Sequence, residues 1–224
     1  MEQNLDRLEA QFFETGKQGY ILPRLVTYEG LVYAFYSAEK MAHDLEDSFN
    51  RLSDPEKLQV FHRHMVWSIF SLNGGKYYQD LKSRLITYFE KRYGSSEKID
   101  QIIRAYEYKL YYPCICGAIT LAEKLLSNTD RPRDITHERL LRAKLEKLYE
   151  SENKTKENIL LKANITGYIQ FLYKSISFSN EEPKDINRNW LLHGRMDRSV
   201  SEDDCLNIFL LLDTLVELNE KIEV

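Results

Sequence analysis

The run INRNWLLHGR, residues 186 to 195, threads Arg188, Asn189 and His193 between Trp190, Leu191 and Leu192. A helix that only packs has little use for a guanidinium, an amide and an imidazole so close together. On an α-helix each residue turns ~100°, so Asn189 and His193 share a face, whereas Arg188 and His193 stand ~140° apart. A long arginine can wrap back towards a common pocket, and a two-fold dimer can bring two copies of the run into one cleft. Arginine offers a planar fork of donors suited to phosphate oxygens, and histidine exchanges a proton near neutrality. The plainer reading is a surface arginine in a salt bridge and a histidine capping a helix C-terminus, with Gly194 ending the helix.

Working outward, a polar loop, SNEEPKD, precedes the run, and after it Ser201 and Asp204 stand at the head of CLNIFLLLDTLVEL, which predicts a capped, strongly apolar helix. Upstream, CICGAITLAEKLLSN carries Ile115, Ile119, Ala122 and Leu126 at the spacing of a buried helix, and Pro113 marks the boundary before it. NTDRPRDIT at 128 to 136 reads as a loop, with helices expected over 137 to 151 and 155 to 177. In the first half, Leu5, Leu8, Phe12 and Phe13 predict a short helix that Gly16, Gly19 and Pro23 break. Further helices are expected over 25 to 50, over 55 to 73 behind Asp54 and Pro55, from Lys76 to Arg92, and from Glu97 to about Tyr111.

The class is therefore all-α: a helical bundle in which residues 1–110 pack on a second half, 111–224, although a single bundle fits the pattern almost as well. Long helices with short connections agree with only 9 glycines and 5 prolines in 224 residues. A net charge of −4 supplies no global field for nucleic acid, so any polyanion would need a local basic patch. Cys114, Cys116 and Cys205 are an odd set without metal-ligand spacing, read as buried thiols in a reducing compartment. No stretch offers the ~18 apolar residues of a membrane span, and the first residues lack the basic start and apolar centre of a signal peptide. A cytoplasmic protein with no membrane partner is the expectation. Gly-rich phosphate loops, G-x-S-x-G elbows and H-E-x-x-H motifs are absent from the sequence.

INRNWLLHGR resembles the signature of the HEPN superfamily (higher eukaryotes and prokaryotes nucleotide-binding), in which an arginine and a following polar residue precede a histidine by a few positions. Here Arg188 is the arginine, Asn189 the polar residue and His193 the histidine. The likeness extends loosely over 111–224, and residues 1–110 have no counterpart in it. The resemblance implies a dimeric endoribonuclease that needs no metal or other cofactor, found among phage-defence and toxin-antitoxin systems. It further implies RNA as substrate, a regulatory protein or antitoxin as partner, and cleavage by the RNA's own 2′-hydroxyl. His193 would move protons, Arg188 would hold the phosphate, and Asn189 would orient the histidine or the substrate. His43, His62, His64 and His137 form no ligand cluster by spacing.

Around that motif, Glu123 in ITLAEKLL is a candidate to orient Arg188 or His193, or else lies on a solvated stripe beside Lys124. Arg195 and Arg198 would extend a phosphate-binding patch, unless Asp197, Glu202, Asp203 and Asp204 pair with them. The tyrosines of AYEYKLYY, 105 to 112, would stack bases, or pack between helices or at a dimer interface. Two other readings stand beside the nuclease: a HEPN-fold module that binds a protein or nucleotide without cleaving RNA, and an unrelated helical adaptor in which Arg188 and His193 do not converge.

Overall fold

The computed structural model describes residues 2–21, 70, 72–127, 137–151 and 155–222. The helix expected over 25 to 50, most of that over 55 to 73, the loop 128 to 136, Pro23, His43, His62 and His64 lie outside these residues. Among them there are eight α-helices and no strand: α1 (Glu2–Lys17), α2 (Lys76–Tyr93), α3 (Glu97–Glu107), α4 (Tyr111–Leu126), α5 (His137–Ser151), α6 (Lys156–Leu172), α7 (Arg188–Leu192) and α8 (Glu202–Ile222). The all-α expectation is met.

Helix α8 is the centre. From Cys205 to Val216 every residue is buried, so the helix has no solvated face and must be surrounded. Helices α4, α5 and α2 pack on it, α3 lies on α4, and α1 runs along α6. Its start is a reciprocal cap: the Ser201 Oγ accepts from the Asp204 backbone N–H at 3.2 Å, and the Asp204 carboxylate accepts from the Ser201 N–H at 2.8 Å. The sequence had pointed to this pair. One buried apolar cluster runs from Ile21 through Leu81, Ile99 and Ile119 to Leu218, drawing on residues before and after position 110.

Two expectations about helix ends are corrected. Gly16 lies inside α1 and breaks nothing; the helix ends by Gly19, which has φ +87°. Gly16 and Gly167 instead let α1 and α6 touch backbone to backbone. A Cβ on Gly16 would strike the Asn164 carbonyl and come within 2.7 Å of the Tyr168 nitrogen, and one on Gly167 would strike the Phe13 carbonyl and come within 3.0 Å of the Lys17 nitrogen. Buried Asn164 then closes this end of α1, donating to the carbonyls of Phe12 and Tyr20 at 3.0 Å each.

The second correction concerns α6, which stops at Leu172 where helix was expected to 177. Two carbonyls past its end are used from elsewhere in the chain. The Asn187 side chain donates to the Lys174 carbonyl at 2.8 Å, and the Trp190 indole donates to the Ile176 carbonyl at 3.4 Å. Those oxygens serve the segment that carries the motif. Likewise α3 ends at Glu107, before Lys109 turns the chain at φ +59°, and Pro113 sits in the first turn of α4, where its missing N–H costs no helical bond.

Two charged side chains make contacts that tie the core together. Asp213 of α8 has a side chain only 1% exposed and is paired with Arg84 of α2. Buried Lys144 of α5 donates to Asn219 of α8, which in turn donates to the Leu125 carbonyl at 3.1 Å. Each tie crosslinks the central helix to a neighbour.

Candidate functional site

Helix α7 is short because it is held at both ends. Asn187 caps its start, accepting from the Trp190 N–H at 3.3 Å, and Gly194 follows its end with φ +63°. Trp190 and Leu191 turn inward and are buried. Tyr112 of α4 adds an outside clamp, its hydroxyl donating to the Leu191 carbonyl at 3.1 Å. Residues 188, 189 and 193 are left on the outer part of a firmly seated turn.

Arg188 reaches α4. Its Nε donates to Glu123 Oε1 at 2.5 Å, and its NH1 donates to Asn189 Oδ1 at 2.9 Å. The hydrogen bond to the Glu123 carboxylate holds the guanidinium above its ordinary pKa, against the opposing effect of partial burial. Glu123 thus meets Arg188, as one of its two sequence readings expected, whereas the Asn189 side chain contacts the arginine and not the histidine it was expected to orient. Neighbouring Lys124 is turned elsewhere, its ammonium 3.4 Å from the centre of the Tyr93 ring. Burial, and then Lys98, push its pKa down.

His193 stands in different company. It is exposed, and its ring meets the edge of Phe178 at 5.4 Å between centroids and 77° between planes. Phe178 is 37% exposed, meets Trp190 edge-on at 5.5 Å, and carries the Arg195 guanidinium 4.3 Å from its centre. Sequence reasoning passed over Phe178; the only available signal was a lone aromatic in the polar stretch SISFSN. Arg188 and His193 are therefore gripped by separate supports, Glu123 for one and Phe178 for the other.

Arg198 belongs to neither group. Its NH2 pairs with Asp204 at 2.8 Å and its NH1 donates to the Ser199 carbonyl at 2.9 Å, so it serves the cap of α8. Glu182 steadies the same loop by accepting the N–H groups of Asp197 and Arg198 at 2.7 and 3.0 Å.

No family model, curated protein or solved structure matches the chain. The chemistry has to be read from the residues themselves. Among the described residues no three His, Cys, Asp or Glu side chains are grouped to hold a metal, and no helix is long and apolar enough to cross a membrane. Cys114 and Cys205 are buried and Cys116 half-buried, all three free. Of the tyrosines between 105 and 112, Tyr106 packs inward and donates to Glu202 at 2.8 Å, while Tyr108 and Tyr112 are exposed beside Leu110.

Proposed function

We propose that this protein is a metal-independent, HEPN-like endoribonuclease. The observation that carries the reading is the construction around α7: an arginine oriented from two sides, by Glu123 and Asn189, next to an exposed histidine at the end of the same short, capped turn. Orientation of that kind suits binding a phosphate and the charge that builds on it.

In the proposed reaction the 2′-oxygen of RNA bonds to the adjacent phosphorus and the bond to the 5′-oxygen breaks. A His193 imidazole takes the 2′-hydroxyl proton, and a proton is returned to the leaving 5′-oxygen, giving a 2′,3′-cyclic phosphate and a free 5′-hydroxyl. Arg188 holds the phosphate oxygens. Because separate supports grip Arg188 and His193, the proposal takes the working cleft to lie between two copies of the chain. Exposed Tyr108, Leu110 and Tyr112 support that arrangement, since Tyr112 itself touches α7 and offers apolar surface beside it. A role in phage defence or in a toxin-antitoxin pair, with a restraining partner protein and a cytoplasmic setting, goes with this reading.

The charge balance favours a second reading, a HEPN-fold module that binds without cleaving. The carboxylate of Glu123 already neutralises Arg188, Arg198 is spent on Asp204, and the net charge is −4. Incubation of a mixed RNA pool in EDTA with the wild type, His193→Ala and Arg188→Ala separates the two. Cutting to cyclic-phosphate ends, lost in both variants while they keep their fold, supports the nuclease. Binding of RNA or of a partner protein with no cutting by any of the three supports the module.

A further inference from the structure

A cavity of about 390 Å³ opens where the turn after α1, the start of α8 and the segment before α7 meet. It is large enough for a small ligand. Tyr168 of α6 lines it and is only 2% exposed.

The charges around the opening narrow the ligand. Lys184, Asp185, Asp203, Arg198 and Asp204 all line it. Arg198 and Asp204 satisfy one another at 2.8 Å. Lys184 and Asp185 make no ion pair among the described residues, so uncommitted charge of both signs faces the cavity. A simple anion would meet the carboxylates of Asp185 and Asp203, and a simple cation would meet Lys184 and Arg198. A wholly apolar molecule would offer the Tyr168 hydroxyl no hydrogen bond. A molecule with one charge of each sign, a short apolar body and a hydrogen-bonding group answers all of these, and Ile115 and Phe171 supply the apolar wall.

We propose that this cavity binds a small zwitterion of the amino-acid class, its carboxylate towards Lys184, its ammonium towards Asp185 and Asp203, and its side chain among Ile115, Phe171 and Tyr168. The site is distinct from the Arg188 and His193 groups and does not rest on the nuclease reading. It adjoins them through the chain, because Asp185 and Ile186 lead directly into the Asn187 cap.

The test is calorimetric titration of the full chain with the standard amino acids one at a time at roughly 10 mM, followed by the amine and the carboxylic acid that each lack one charged group of the best binder. Saturable one-to-one binding is expected for at least one amino acid, with both single-charge analogues at least about tenfold weaker. Tyr168→Phe, which keeps the ring, and Lys184→Ala, on an exposed residue, should each weaken binding by about tenfold without changing the circular dichroism of the free protein. No heat with any amino acid, equal binding of either analogue, or undiminished binding by both variants would overturn the proposal.

Discussion

Glu123 of α4 and Arg188 of α7 stand 65 residues apart in the chain and meet at 2.5 Å between Oε1 and Nε. The contact fixes the direction of the guanidinium fork. Glu123→Gln retains an acceptor oxygen and Glu123→Ala removes it, so cleavage of RNA under single-turnover conditions should fall in that order, by about tenfold and about a hundredfold. The pair is about a quarter exposed on each side, so its own contribution to stability is modest, about 1 kcal/mol or less. Melting temperatures of the two variants should therefore lie close to the wild type.

Asn187 is asked for more. Its side chain accepts from Trp190 and donates to Lys174, both from a buried position. Replacement by alanine should cost about 2 kcal/mol in urea denaturation, the upper end for a lost cap. Thr155→Ala, at the exposed cap of α6, should cost about 1 kcal/mol or less.

The contact of α1 with α6 predicts that a single methyl is intolerable at Gly16 or Gly167. Each alanine variant should lose about 3 kcal/mol, because the obstacle is backbone and cannot rotate away. At Gly74, where a Cβ meets nothing within 4 Å and φ is +64°, alanine should cost only the ~1–2 kcal/mol of a left-handed residue. Equal losses at all three positions, measured by denaturant midpoint, would count against the crossing.

Arg84 and Asp213 make a different forecast. Removing either partner leaves a charge stranded against the core, so Arg84→Ala and Asp213→Ala should each destabilise by about 3–5 kcal/mol. Replacing both with apolar residues, Arg84→Met with Asp213→Leu, should cost less than either single change.

The thiols give a pH test. A hydrogen bond with Cys114, and then burial, push Cys205 well up, and burial pushes Cys116 up. A raised thiol pKa means less thiolate at a given pH, so iodoacetamide at about pH 8 should label native Cys116 and Cys205 more slowly than a free cysteine of pKa ~8.5. Denaturant should abolish the lag.

Helix positions were legible in the sequence because burial leaves a periodic trace: Leu8 and Phe12, or Ile115, Ile119 and Leu126, announce a face whatever covers it. The cap at Ser201 and Asp204 and the turn at Gly194 were legible because local hydrogen bonding and φ dictate the residue type. What meets a face was not. Gly16 looks the same as a breaker and as a point of close approach, and only the arrival of Gly167 distinguishes them. Asn187 was not singled out, and its bond to the Lys174 carbonyl, 13 positions away, leaves no local trace. At the motif, Arg188, Asn189 and Glu123 were named together and are in contact, whereas Arg198 was drawn off to Asp204 and Phe178 came in unannounced.

The early stop of α6 has one more consequence. Asn187 and Trp190 hold the oxygens of Lys174 and Ile176, two carbonyls past the end of α6 that, among the described residues, no helical amide uses. The segment that follows α6 therefore serves as the seat of α7, and any displacement of it would pass directly to the turn bearing Arg188.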